Sequence, residues 1–371
     1  MAVATLPVID ADGHVAECAE TFADRYFDFP NYKDRRPRIV RDEQRSFWVI
    51  DDAVFPRLVG PGCHILTTPQ SVGPTGNPGD DDEAQRTLSD LQARWRLMQD
   101  EGLDLQVVYT TLFLAYPLTH DPGLYAALCR SYNNWMADRC SPMPDKFKWA
   151  AVVALDDVAS AIEEVKHVRA LGAVGVMILG TVGETPLHDR RFWPFYEAVE
   201  TANLALAIHV GWSCPPLSNM YDTLFLSASL PFQLPILMAF GSLVGGGVLD
   251  DFPALRLAFL EAGSEWLPWI VARMSHFYSS FQRRPLAKPS ALRAPLDYLQ
   301  AGNIYLSAEP DDRLLPHVLA LLGEDQVIYA SDIPHNDREP YNASELQRRP
   351  DLSEAVKRKI LWDNPRHLYR L

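Results

Sequence analysis

Eight short apolar runs recur along the chain, separated by stretches in which apolar residues return every three or four positions. The runs cover residues 6–9, 105–109, 148–153, 174–179, 204–209, 255–260, 304–307 and 327–330. Most are continuous in Val, Ile, Leu and Ala, without polar alternation, as parallel strands buried on both faces require. The helical period is equally legible between them. Leu88, Leu91, Trp95 and Met98 precede the second run, and Leu124, Leu128, Tyr132 and Trp135 follow it. Phe192, Phe195, Tyr196 and Val199 form another face, and so do Trp266, Trp269, Ile270 and Met274. Asp156 and Asp157 open a helix that Gly172 closes. Repeated alternation of strand and helix predicts an α/β fold, a (β/α)8 TIM barrel, with residues 1–371 as one domain.

Two stretches interrupt the alternation. Residues 20–83 split the first unit and are rich in Pro, Gly and Asp around positions 73–80. A long insertion at the C-terminal mouth of a barrel is expected to be a lid or wall, here with residues 60–83 as its moving part. Residues 211–249 are apolar, carry Trp212, Tyr221, Phe225, Phe232 and Phe240, and are expected to border the site. Gly245, Gly246 and Gly247 read as a helix break or tight turn.

The chemistry sits at the ends of the runs. Asp10, Asp12 and His14 follow the first, and residues two apart on a strand share a face. His209 ends the fifth run, Glu261 follows the sixth, and Asp332 follows the eighth, with His335 three residues on. C-terminal ends of barrel strands converge on one pocket, so these side chains are expected to meet. Asp12, His14, His209 and Asp332 are the expected ligands of a divalent metal, zinc, manganese or iron. One ion is expected, and Glu261 and His335 leave room for a second. Asp332, Glu261 and His335 are the candidate proton carriers. Each residue also has a plain alternative: a turn for Asp12, caps for His14, Asp332 and His335, a hydrogen-bonded core for His209, a rim salt bridge for Glu261. Trp212 and Trp266 are candidate substrate contacts, Arg256 and Arg273 are available as carboxylate clamps, and Ser307-Ala308-Glu309 is a further rim candidate. No GxSxG elbow, GxxxxGK loop or strand-linked GxGxxG is present.

Composition narrows the partners. Hydrophobic residues make up 47% and charged residues 22%, the balance of a soluble globular protein. A formal net charge of −14 argues against nonspecific nucleic-acid binding and against an anionic membrane surface. It leaves an anionic small substrate open, since a bound metal reverses the local sign. No uninterrupted apolar run of membrane-spanning length and no signal peptide are read, so a cytoplasmic protein is expected. Five cysteines without a CxxC pair argue against a disulfide framework or a structural zinc site.

Five segments in order carry a family resemblance: residues 9–14, 207–211, 257–263 with Trp266-Leu267-Pro268, 330–335, and 360–365. The chain resembles the metal-dependent amidohydrolase superfamily, in the branch of aminocarboxymuconate-semialdehyde decarboxylase and the resorcylate-type decarboxylases. That family typically opens with His-x-His, and here Asp12 stands at the first of those positions, which implies a harder, more anionic site. Residues 176–180 hold no Lys or Glu where binuclear members carry a bridging residue. The resemblance implies hydrolysis or nonoxidative decarboxylation of a largely apolar or aromatic carboxylic acid derivative, with a small-molecule substrate and a homo-oligomeric assembly. Two histidines with carboxylates are also the ligand set of non-haem iron oxygenases, including a diiron one, which stays as an alternative. An inactive binding barrel is the third reading.

Overall fold

The computed structural model describes residues 6–41, 46–57, 83–284, 286, 288–335 and 343–371. Eight parallel strands stand in sequence order around a barrel. They are β1 (Ile9–Val15), β2 (Leu105–Thr110), β3 (Phe147–Val152), β4 (Gly175–Leu179), β5 (Ala205–His209), β6 (Arg256–Leu260), β7 (Ile304–Ala308) and β8 (Val327–Tyr329). Every residue of β3 to β8 except Lys148 is buried, as continuous apolar runs demand. Each of the seven runs after the first is a strand within a few residues of its expected bounds.

The first strand lies later than expected. It covers the polar segment Asp10 to His14 itself, with an irregular register against β2 between Asp10 and Gly13. Two of its buried polar side chains are held there by partners, Asp10 by Gln106 and Ser331 and the His14 Nδ1 by the Thr110 carbonyl.

Helices return the chain between strands. Asp90, Asp121 and Asp157 cap three of them, each accepting two backbone N–H bonds. Gly172 ends the helix Val158–Leu171 at φ 92°, a left-handed conformation that favours glycine. The helix before β2 is Leu91–Asp100, so Leu88 lies ahead of its cap and packs in the core without being helical. The glycine triplet ends the helix Leu234–Gly245, and Gly247 starts Val248–Asp251 at φ 83°.

The insertion after β1 builds a small antiparallel sheet of its own from Arg38–Arg41, Ser46–Ile50 and Ala53–Phe55. Its Trp48 is buried edge-on against Phe22. Residues 58–82, which hold nearly all of the expected lid, lie outside the described residues. Residues Leu224–Gly245 reach the length and apolarity of a membrane span, which the sequence reading missed because Ser, Pro and Gln are scattered through them. They fold as two helices, Leu224–Ser229 and Leu234–Gly245, and the second buries Ile236, Phe240 and Leu243.

The seam between β1 and β8 is closed in an unusual manner. Among the described residues no strand ladder joins them. Instead the Asp332 N–H donates to the Asp12 carbonyl (3.0 Å) and the His14 N–H to the Ile333 carbonyl (2.6 Å). Ser331 donates its N–H and its hydroxyl to the two oxygens of Asp10 (2.9 and 2.7 Å). Beneath the site, the Tyr369 hydroxyl reaches in to the Tyr109 hydroxyl (2.6 Å) and to the Ala11 carbonyl (2.8 Å).

Candidate metal centre

Two imidazoles face each other at the mouth. His14 and His209 are fully buried, with ring centroids 5.0 Å apart. The Nδ1 of His14 contacts the Thr110 carbonyl (2.8 Å), and the Nδ1 of His209 contacts the Val210 carbonyl (3.0 Å). A carbonyl only accepts, so each Nδ1 carries a proton, and in a neutral ring the Nε2 then presents a lone pair. Burial holds His14 well below the usual imidazole range, with smaller contributions from His335, His209 and the Arg94 guanidinium. A neutral imidazole is the form a metal binds.

Carboxylates surround the two lone pairs. His14 Nε2 lies 3.5 Å from Asp12 Oδ1, 3.4 Å from Glu261 Oε2 and 3.3 Å from Asp332 Oδ1. His209 Nε2 lies 3.3 Å from the same Asp12 oxygen and 3.4 Å from the same Glu261 oxygen. His335 stacks on His14 at 4.1 Å, places Nδ1 2.6 Å from Asp332 Oδ1, and sets Nε2 against the Thr111 hydroxyl (2.8 Å).

The donors fit a metal ion. Donors that share one ion at about 2.0–2.2 Å stand about 3.0–3.5 Å from one another. His14 Nε2 and Asp12 Oδ2 are buried and make no hydrogen bond, a state that is costly without a ligand. Two overlapping donor groups result: Asp12, His14, His209 and Glu261, and then His14, Glu261, Asp332 and His335. Glu261 thus enters the group where the sequence placed Asp332, and Asp332 joins the adjoining one. Glu261 and Asp332 also take left-handed backbone conformations, φ 61° and 57°. Strain of that kind collects at functional sites.

The remaining candidates are elsewhere. Asp10 points to Gln106 and Ser331 and bridges the seam beneath the cluster, and burial pushes its carboxyl up. Trp212 is buried against Phe232 at 4.4 Å and donates Nε1 to the Ser227 hydroxyl. Trp266 packs on Phe240 and Phe259 and donates to the Gly263 carbonyl. Arg256 is no clamp: it starts β6, at the far end of the barrel, and binds Leu368 and Asn203. Arg273 is exposed on the helix Leu267–Phe281. Ser307 accepts the Glu261 N–H at 2.9 Å and so fixes its backbone. A cleft opens over Glu261 toward Glu265, Glu309, Asp311 and Arg313.

Sequence reasoning missed Arg94, Gln106 and Glu17. Arg94 and Gln106 are fully buried beside β1, and Glu17 accepts bonds from the Thr110 hydroxyl and the Leu112 N–H. The signal was available: Arg94 stands on the apolar stripe of Leu91, Trp95 and Met98, and Gln106 stands inside an apolar strand.

Comparison with known proteins places the chain. The sequence model of the amidohydrolase family matches residues 9–371. The gamma-resorcylate decarboxylase of a Polaromonas species is 26% identical over 322 residues, 83% of this chain and 97% of that one. An amidohydrolase structure from Mycobacterium avium subsp. paratuberculosis superposes with a TM-score of 0.77 at 23% identity, over 99% of this chain and 100% of that one. The 5-carboxyvanillate decarboxylase of Novosphingobium aromaticivorans, solved with manganese and a nitrobenzoic acid, gives 0.70 at 20% identity, covering 99% and 97%. An iron oxygenase finds no support among these relatives. The eight-stranded barrel, the five ordered segments and the match over nearly its whole length make this chain an enzyme of the amidohydrolase family.

Proposed function

We propose that the chain removes carbon dioxide, without an oxidant, from an aromatic or otherwise largely apolar carboxylic acid, using one divalent metal ion. The observation that carries the metal reading is the meeting of the His14 and His209 lone pairs with carboxylate oxygens at 3.3–3.5 Å. Likeness to a resorcylate decarboxylase over 97% of that relative supports the reaction class. One ion is favoured over two because both donor groups draw on the single lone pair of His14 Nε2. A mixed set of imidazoles and carboxylates suits manganese or zinc, and manganese is the ion in the carboxyvanillate decarboxylase structure.

Asp12, His14 and His209 would hold the ion, with Glu261 and the inner oxygen of Asp332 beside them. Such an ion, when bound, supplies Lewis-acid polarisation of a substrate oxygen. The chain's own residues do the rest. The Thr110 and Val210 carbonyls fix the tautomer and the aim of both imidazoles. Asp332, held at 2.6 Å by His335, hands a proton to the substrate carbon that bears the carboxylate. The electron pair of the breaking carbon–carbon bond ends in the new C–H bond, carbon dioxide departs, and His335 relays a proton taken up from solvent back to Asp332.

The test joins metal analysis to turnover. Purified protein is expected to hold about one manganese or zinc per chain and to release carbon dioxide from hydroxylated benzoates such as 2,6-dihydroxybenzoate. His209→Ala should lose most of the metal and keep the circular dichroism of a folded barrel. A folded His209→Ala protein with parental metal would sink the metal reading. About two irons per chain with dioxygen consumed during turnover would replace the decarboxylase with the oxygenase.

A further inference from the structure

We infer that Arg94 is a positioning residue for the metal centre: its guanidinium fixes the spacing of the two ligand-bearing backbones that meet at the barrel seam. The side chain is fully buried. Its Nη2 donates to the His14 carbonyl (2.9 Å) and to the Ile333 carbonyl (2.7 Å), so one nitrogen grips the residue that carries a metal-binding imidazole and the neighbour of Asp332. Nε and Nη2 also donate to Gln106 Oε1 (3.0 and 2.8 Å), and Gln106 Nε2 passes the tether to Asp10 (2.6 Å), which holds Ser331. A strand ladder normally sets the distance between neighbouring strands. Here, among the described residues, the ladder is reduced to two backbone bonds, and a planar fork with five donors in fixed geometry reinforces them.

A purely structural arginine is present for comparison. Arg256 is also buried and also grips carbonyls, donating to Leu368 O (2.8 Å) and Asn203 O (2.9 Å). It sits at the opposite end of the barrel, away from any ligand. If Arg94 only stabilised the fold, the two residues would behave alike.

This inference rests on the reading of the cluster as a metal centre. The experiment measures the dissociation constant of manganese, by titration calorimetry of chelator-treated protein, for the parent, Arg94→Gln, Arg94→Lys and Arg256→Gln. Arg94→Gln should bind roughly 10- to 100-fold more weakly, the usual effect of losing a group that orients ligands. Arg94→Lys should fall between it and the parent, since a single ammonium cannot reproduce the fork. Arg256→Gln should melt at a lower temperature and bind manganese within about twofold of the parent, because it touches no group that orients a ligand. Should Arg94→Gln fail to fold, Ser331→Ala loosens the same seam from the other strand and should weaken binding in the same direction. Folded Arg94→Gln or Ser331→Ala with parental affinity, or equal weakening in Arg256→Gln, would overturn the inference. A parent that binds neither manganese nor zinc would remove the metal reading itself, and the inference with it.

Discussion

Glu17 is a buried carboxyl that the proposed reaction leaves idle. Burial pushes it from 4.5 up to about 7, against relief from the Thr110 hydroxyl and the Leu112 N–H. Between those two values the folded chain keeps a proton that the unfolded chain releases. Stability therefore falls as pH rises through that window, by up to about 3 kcal/mol, and levels off above it. Glu17→Gln should flatten this slope and leave the protein at pH 7.5 at least as stable as the parent. Urea unfolding at several values between pH 5 and 8 checks it, and identical slopes in the two proteins would refute the assignment. Glu261 and Asp332 show another cost borne by single residues. Their left-handed backbones are worth about 1 kcal/mol or more each in strain.

Among the elements, β1 is the one whose sequence and structure disagree in the most useful way. Gly13 lies between two candidate ligands, and a Cβ there would meet Gln106 Nε2 at 2.2 Å and Cδ at 2.4 Å. Gln106 cannot withdraw, because Arg94 and Asp10 hold it from both sides. Gly13→Ala should cost about 1–3 kcal/mol, whereas Gly241→Ala, in a helix with open space around the position, should be neutral or stabilising by up to about 1 kcal/mol. Equal chemical-unfolding midpoints for both variants would contradict the crowding at Gly13. The other strands were legible because an apolar run buried on both faces leaves a plain trace in sequence. The site was legible for a related reason, since Asp12, His14, His209, Glu261 and Asp332 interrupt that trace at equivalent ends. Arg94 and Gln106 interrupt it as well, but their role depends on which backbones they reach, and no local pattern carries that. The sheet inside residues 20–83 was hidden for the opposite reason: strands of three to five residues on a half-exposed surface leave too short an alternation to read.

At the level of the whole molecule, metal binding and barrel closure should be one equilibrium, because ligands lie on both sides of the seam. An ion that binds only the closed barrel stabilises it by about 2.7 kcal/mol at a hundredfold excess over its dissociation constant. Amide hydrogen exchange is the measurement: the cross-seam N–H groups of His14, Ser331 and Asp332 should exchange faster without metal and slow on adding manganese. Amides in β4 and β5 should change little, and uniform slowing throughout the barrel would argue against a seam that opens by itself. The seam has a further consequence for how the protein is made. Ser331 and Asp10 are 321 positions apart. A chain still emerging from the ribosome has Asp12, His14, His209 and Glu261 long before β8 can dock beside β1. Until then the barrel is an open sheet, and whatever metal the cell offers during synthesis meets donors that the closed seam does not yet hold in place. Selection of the ion is therefore deferred to the finished protein, after translation has ended.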